Sequence, residues 1–346
     1  MENNITQERK YFGAANGYSG FRSNFKSIFN PDTLDKLFII KGGPGTGKST
    51  LMRRIKENFT ESTDVITILC SSDPDSLDGL LISKDGITVG IADGTSPHTL
   101  DAEYPGAVEE IVNLGDGFDF GKLRARKQDI LSLSQSKKMH YKSAYASLGV
   151  AGNIYEYICS YFLNCQYYNE AEREIRNLIN DDIGCSQGSV MSSFLVSSFS
   201  KNGYKRLPHL TEERRKVNIK GDGISEYVLL SQIKKNLDKT ERNYRIFFSA
   251  FSEKIPDIIE TDNSIYVISD DSDYSLDSSL FMPKTCEYDR LKSSYRCFIE
   301  NSQLSLIKAS EYHFKLEGIY SSAISFESNE EKYFDILKKI NDIFDK

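Results

Sequence analysis

The residue types and spacing of one nine-residue segment predict that it binds phosphate. It reads GGPGTGKST over residues 42–50 and satisfies the pattern G-x-x-x-x-G-K-[ST] in full. Glycines let the backbone turn so that successive N–H groups face phosphate oxygens, and the helix that follows adds about half a positive charge at its N-terminus. The predicted phosphate-binding residues are Gly43, Pro44, Gly45, Thr46, Gly47, Lys48, Ser49 and Thr50.

The residues around this loop favour a working site over a chance glycine-rich turn. An apolar run of strand type, residues 37–40, precedes the loop, and the sequence LMRRI at 51–55 opens a helix after it. In such a site Lys48 reaches the β- and γ-phosphates, and the Ser49 hydroxyl ligates Mg²⁺. The segment therefore predicts a nucleoside triphosphate ligand, with ATP and Mg²⁺ as cofactors.

Two further segments place polar groups where strands are expected to end. The apolar run 87–92 ends in Asp93, the pattern of a carboxylate that supports the metal, so Ser49 and Asp93 are the predicted metal ligands. Residues 65–69 lead into an acidic segment in which Asp73 is the candidate to position water, although a capped turn explains this segment equally well. His98 contacts phosphate, takes part in acid–base chemistry or makes a structural hydrogen bond, and the last of these is favoured. Gly94 follows Asp93 where many motor ATPases carry a glutamate, so fast hydrolysis is not expected.

An internal repeat indicates that the chain holds two copies of one unit. Residues 219–221 repeat the IKG of 40–42, and later positions match with a nearly constant offset. The second copy reads DGISEY at 222–227 where the first has PGTGKS at 44–49, so Lys48 and Ser49 have no counterparts. The predicted fold is α/β, a P-loop parallel sheet with flanking helices, duplicated in tandem with a degenerate second copy. The predicted domains are residues 1–188 and 189–346, joined by a linker at 181–188. An unrelated partner domain after 188 is the alternative.

Helix-type periodicity ends each copy, over residues 121–180 and 291–344. His140 and His313 hold comparable places in these two stretches and are expected on a helix surface or in packing. The basic residues Lys122, Arg124, Arg126 and Lys127 are expected to form a solvated helix face.

Composition excludes several classes of function. The 346 residues are 27% charged and 39% hydrophobic, which is typical of globular domains, and the net charge of −7 makes nucleic acid an improbable partner. The six cysteines form no C-x-x-C pair, which disfavours a zinc site or a disulfide framework. The polar N-terminus does not have the pattern of a signal peptide, and no apolar run reaches the roughly 18 residues of a membrane span. A cytoplasmic protein is expected.

The loop at 42–50, the acidic segment CSSDPDSLDG at 70–79, the segment DGTSPH at 93–98 and YPGAV at 104–108 together resemble a family of bacterial tandem P-loop proteins. Members of this family are generally described as AAA-type ATPases or nucleotide-binding proteins. The resemblance covers nearly the whole chain and implies a cytoplasmic ATP-binding protein. Relatives can carry an intact loop in the second half as well, so the departure at 222–227 implies a single working site here.

Three functions are consistent with the sequence. The leading hypothesis is a Mg²⁺-dependent ATPase or ATP-driven switch, whose helical segments contact a protein partner. A P-loop kinase acting on a small molecule or nucleotide is the second, and a nucleotide sensor without turnover is the third. A homo-oligomer is compatible with each of them.

Overall fold

A computed structural model describes residues 9–59, 63–164, 168–180, 189–208, 214–240, 243–269 and 275–345. The predicted linker 181–188 lies outside the described residues. Below, the first half is the part up to residue 180 and the second half is the part from residue 189. No helix in these ranges is long and apolar enough to cross a membrane.

The first half contains eight strands and five helices in the described ranges. Its strands are β1 (Arg9–Phe12), β2 (Ala14–Gly17), β3 (Gly20–Ser23), β4 (Lys36–Lys41), β5 (Asp64–Leu69), β6 (Leu77–Lys84), β7 (Ile87–Asp93) and β8 (Glu109–Asn113). Its helices are α1 (Phe25–Ile28), α2 (Lys48–Lys56), α3 (Phe120–Ala125), α4 (Lys127–Leu163) and α5 (Tyr168–Asn180).

The second half contains eight strands and three helices in the described ranges. Its strands are β9 (Ser189–Met191), β10 (Ser197–Ser200), β11 (Gly203–Arg206), β12 (Arg215–Lys220), β13 (Tyr244–Ser249), β14 (Ser252–Thr261), β15 (Ser264–Ile268) and β16 (Ser275–Asp277). Its helices are α6 (Ser225–Leu237), α7 (Cys286–Ser321) and α8 (Glu327–Phe344).

The two halves build sheets with the same strand order and the same strand directions. The first sheet runs β1-β5-β6-β7-β4-β8, and the second runs β9-β13-β14-β15-β12-β16 when read from the matching edge. In each sheet three neighbouring pairs are parallel and two are antiparallel. A separate two-stranded hairpin, β2-β3 or β10-β11, accompanies each sheet. The α/β class predicted from the sequence is confirmed.

The prediction that the sheet is parallel is wrong for one strand of each half. In the first sheet β6 is antiparallel to both β5 and β7. The turn between β6 and β7 explains this, because it has only two residues, Asp85 at φ 51° and Gly86 at φ 87°. Two successive residues with positive φ match the twist of a tight hairpin, and an Asp-Gly pair is the usual sequence for it. The acidic segment 70–79 is correspondingly not all loop, since Leu77 begins β6.

The central strand of the first sheet is buried on both faces. Phe38 and Ile40 pack with Leu51 and Ile55 of α2, whereas Leu37 and Ile39 point to the opposite face and pack around α1. Continuous apolar sequence is what a parallel strand covered on both sides requires. The strand therefore fixes the position of the loop that follows it, at the edge of the sheet where β4 ends.

The terminal helix of each half packs against the core of the other half. Ile336 and Ile340 of α8, in the second half, are fully buried among the residues of β4 and α2. Ile175 and Leu178 of α5, in the first half, pack into the core formed by β12 and α6. The helix-rich segments are thus confirmed, but each one completes the opposite half.

Helices α4 and α7 form a long antiparallel pair that makes this exchange possible. They contain 37 and 36 residues. His140 of α4 stacks on Tyr312 of α7 within the pair, with ring centroids 5.4 Å apart. At one end of the pair Tyr161 and Thr285 join their hydroxyls at 3.2 Å. Each long helix therefore starts beside its own half and ends near the other half, where the next helix, α5 after α4 and α8 after α7, packs.

Candidate functional site

The glycine-rich segment 42–50 forms the turn between β4 and α2, where the sequence predicts it. Gly45 and Gly47 adopt φ values of 69° and 87°, a region that favours glycine over residues with a side chain. The buried Thr46 closes the turn by donating its hydroxyl to the Gly43 carbonyl at 2.9 Å. Lys48 is the first residue of α2. The loop is therefore a glycine-shaped turn at a helix N-terminus, the arrangement that suits an anion.

The structure brings Lys48 and Asp93 together. Strands β4 and β7 are parallel neighbours, with Ile40 opposite Asp93, so the loop and the end of β7 lie at the same edge of the sheet. The Lys48 Nζ is 3.7 Å from Asp93 Oδ2, and both side chains are only 12% exposed. Lys48 also donates to the carbonyls of Gly42 and Gly43 at 3.2 and 2.9 Å.

The Asp93 carboxylate is held by hydrogen bonds, and its pKa depends on the charges beside it. Its Oδ1 accepts hydrogen bonds from the backbone N–H and the hydroxyl of Thr95, at 2.8 and 2.6 Å. Burial raises the pKa of Asp93 above its usual value, and the charge of Lys48 opposes this. A cation placed beside this carboxylate would offset its burial and favour the ionised form.

Ser49, the other predicted metal ligand, accepts one hydrogen bond at its hydroxyl oxygen. Its Oγ accepts the backbone N–H of Leu77 at 2.9 Å. A hydroxyl oxygen has two lone pairs, so one is left to face a metal. Over the described ranges no group of three or more His, Cys, Asp or Glu side chains is placed to hold a metal ion. The donors present fit Mg²⁺ held by one or two protein oxygens together with phosphate oxygens and water.

Asp73, predicted to position water, lies on the connection between β5 and β6. Its Oδ1 is 3.7 Å from the Nζ of Lys201, which belongs to the second half. Its backbone carbonyl accepts the N–H of Ser76 at 2.8 Å, as the turn interpretation requires. Asp73 thus faces the other half of the molecule, and its catalytic role stays a prediction.

The described ranges contain three histidines, and each contacts an aromatic ring or a carboxylate. His98 is buried against the Phe25 ring, with centroids 4.3 Å apart, and its Nε2 is 3.1 Å from Asp78 Oδ2. This favours the structural alternative for His98, on the α1 side of the sheet. His140 packs on α7, as described above, and the Nε2 of His313 is 3.5 Å from Glu317 Oε1.

The sequence did not predict that the second half covers the loop. We call Glu317, Tyr320, Phe326 and Asn329, at the junction of α7 and α8, the cap. The Asn329 amide donates to the Thr46 carbonyl at 3.0 Å, and a Cβ built on Gly45 would lie 2.9 Å from the Glu317 carbonyl oxygen. A Cβ on Gly43 would lie 3.2 Å from the Tyr320 ring. Gly45 is therefore needed both for the turn and for the cap's close approach, and a side chain at Gly43 or Gly47 would crowd the Tyr320 ring or the Asn329 amide.

The corresponding loop of the second half is filled by its own carboxylates. Both oxygens of Glu226, at the place of Lys48 in the repeat, accept the Gly223 N–H at 3.1 and 2.9 Å. Asp222 accepts a hydrogen bond from the Ser225 N–H at 3.1 Å. It also accepts hydrogen bonds from the Tyr288 hydroxyl and the Lys292 ammonium of α7, at 2.8 and 3.0 Å. The backbone donors that would face a phosphate in an intact loop are used by side chains of this loop.

No family model, curated protein or solved structure matches this chain.

Proposed function

We propose that the chain binds Mg·ATP at the loop 42–50 and hydrolyses it slowly, as an ATP-driven switch with one working site. The observation that carries this is the contact of Lys48 with Asp93, with Ser49 next to Lys48 at the start of α2, at the edge of the sheet where the adjoining strands β4 and β7 end. A second working site is disfavoured by the carboxylates that occupy the loop at 222–227.

Each residue has a defined task in this proposal. The N–H groups of the loop and the start of α2 bind the phosphates, and Lys48 exchanges its bonds to the Gly42 and Gly43 carbonyls for phosphate oxygens. Ser49 and Asp93 orient Mg²⁺, which when bound neutralises charge on the phosphates. Catalysis of phosphoryl transfer depends mainly on positioning and electrostatic stabilisation. A loop anchored on a buried strand serves this reaction because it holds the phosphates in one place.

We further propose that both halves are P-loop folds that arose by duplication. The identical strand order and directions of the two sheets support this. So does the equivalent position of α2 and α6 directly after β4 and β12. The cap links the site to the α4–α7 pair, which is the route by which nucleotide binding would alter the surface offered to a protein partner.

The test is ADP release from the purified protein with Mg·ATP, comparing the wild type with Lys48→Ala and with Lys56→Ala. Lys56 lies at the far end of the same helix and serves as the control. We expect turnover and ATP binding in the wild type and in Lys56→Ala, with both lost in Lys48→Ala. Binding without turnover in the wild type would reject the ATPase and leave the sensor or the kinase, which an acceptor screen would separate.

A further inference from the structure

In the described part of the first half, the carboxylates near the loop already have partners, and Asp78, which acts electrostatically on Asp93, lies 3.1 Å from the Nε2 of His98. Gly94 follows Asp93, and Asp93 itself is directed at Lys48 and Thr95. Asp73 is paired with Lys201. A hydrolase gains about 10²–10⁴-fold in rate from a positioned base, so a further carboxylate at the loop is a specific expectation.

Glu317 of the cap is a carboxylate that the second half brings to the loop, and its own contact is with the Nε2 of His313 at 3.5 Å. Its backbone lies directly against Gly45, and its side chain is near enough to Lys48 for the lysine charge to act on it. The side chain is 36% exposed, so it remains accessible to water. It reaches the loop from the second half, which is why no motif around 42–93 reveals it.

Lys48, Lys137 and Lys201 act electrostatically on Glu317, which reduces the repulsion between its carboxylate and a triphosphate. The hydrogen bond from His313 lowers the pKa of Glu317, and the charges of Lys48 and Lys201 lower it further, against the effect of burial. Lys137 of α4 also interacts electrostatically with Glu317. Lys201 sits in this group with its Nζ 4.4 Å from the centre of the Phe314 ring. The groups come from both halves and from both long helices.

We propose that Glu317 is the general base of the hydrolysis, contributed by the second half to the loop of the first. The inference rests on the proposed ATPase function. The water oxygen forms a bond to the γ-phosphorus, and the bond between that phosphorus and the β–γ bridging oxygen breaks. One water proton passes to the Glu317 carboxylate, and ADP and inorganic phosphate leave. The proton returns to solvent before the next turnover.

The test is single-turnover hydrolysis of Mg·ATP by excess protein, with ATP affinity measured separately by equilibrium dialysis. Glu317→Gln keeps the size of the side chain and removes the base. Glu311→Gln, on an exposed position of the same helix, is the matched control. We expect Glu317→Gln to lower the hydrolysis rate by about 100-fold or more with ATP affinity changed less than about threefold, and Glu311→Gln to match the wild type.

The outcomes separate this inference from the function on which it rests. Hydrolysis by Glu317→Gln within about twofold of the wild-type rate overturns the role of Glu317 and leaves the ATPase intact. Loss of ATP affinity together with hydrolysis in Glu317→Gln also overturns it, because Glu317 would then hold the loop and not activate water. A wild-type protein that binds ATP without hydrolysing it rejects both proposals, and one that binds no ATP rejects the nucleotide site itself.

Discussion

Two carboxylates explain how the second loop keeps its shape without a phosphate. Glu226 and Asp222 accept the N–H groups of Gly223 and Ser225. A turn with several inward-facing N–H groups needs acceptors, because an unpaired buried donor costs about 1–3 kcal/mol. In the first half Thr46 and Lys48 instead donate to the Gly43 carbonyl, so they supply no acceptor for the N–H groups of the loop. The second loop thus carries its own acceptors, whereas under the proposed function the first loop takes them from the bound phosphates.

Asp222 predicts an acid-sensitive contribution to stability. Burial alone raises the pKa of Asp222, but the hydrogen bonds from Ser225, Tyr288 and Lys292 outweigh it and lower the pKa below its ordinary value. A carboxyl with a lowered pKa in the folded protein stabilises it above the ordinary pKa of about 3.9, and this contribution is lost as the pH falls through the lowered value. Between pH 5 and pH 3 we expect the free energy of unfolding to fall more in the wild type than in Asp222→Asn.

Urea unfolding at the two pH values measures this difference. Asp289→Asn is the control, because Asp289 faces the same Lys292 at 3.7 Å but is 72% exposed. It should retain the wild-type pH dependence. An equal loss of stability in the wild type and in Asp222→Asn would contradict the assignment.

At the scale of elements, α8 belongs energetically to the first half. Besides its buried isoleucines, it offers Glu330 to Arg54 of α2, and the Arg54 guanidinium lies 4.1 Å from the centre of the Tyr333 ring. Lys339 bonds Glu110 of β8 at 2.6 Å. These ion pairs are partly exposed and contribute little, so the buried apolar face supplies most of the attachment.

Ile336→Ala is expected to destabilise the protein by about 2–5 kcal/mol, because it leaves a cavity in a fully buried site. Phe334→Ala, on the exposed side of the same helix, should change the stability by less than about 0.5 kcal/mol. Amide hydrogen exchange shows which elements each substitution destabilises. Amides of β4 and α2 should exchange faster in Ile336→Ala, whereas Ile175→Ala of α5 should accelerate exchange in β12 and α6. The reverse pattern would show that the helices do not complete opposite halves.

The sequence predicted the local elements, but it did not predict which core each terminal helix packs against. Glycine spacing and flanking periodicity predicted β4, the loop and α2, because these depend on neighbouring residues. The antiparallel β6 had a usable signal in Asp85-Gly86, which a prediction based on the usual parallel sheet overlooked. No signal of that kind exists for Glu317 or Asn329. Periodicity shows which face of a helix is apolar, but the core that covers the face is decided by contacts between residues hundreds of positions apart.

At the scale of the whole molecule, the halves are joined by more than the exchanged helices. Phe12 and Leu195 form a backbone bridge, with N–H to carbonyl distances of 2.8 and 2.9 Å in the two directions. Tyr18 donates its N–H to the Phe251 carbonyl, and the two rings stack at 5.2 Å. The predicted boundary between residues 188 and 189 therefore separates two stretches of sequence. In the structure, the described residues on either side of it pack against each other.

Residues 1–188 expressed alone are expected not to fold to a stable monomer. The first sheet would lack α8, and the apolar face of α5 would be left uncovered. Co-expression with residues 189–346 should yield a 1:1 complex that elutes from size exclusion with the intact chain and melts cooperatively. A stable, monomeric 1–188 fragment with native-like thermal unfolding would show that the exchange is unimportant.

The exchange has an evolutionary consequence for the second half. A gene segment whose loop no longer binds nucleotide normally loses the selection that maintains it. Here the same segment encodes the cap and α8, so a mutation that shortens or misfolds it also disables the intact loop at 42–50. Under the proposed function, residues 222–227 need only keep their loop folded, as Asp222 and Glu226 do, while α7 and α8 stay under the selection that acts on the first half. On the duplication proposed above, the second half persists because the first half requires its cap and α8.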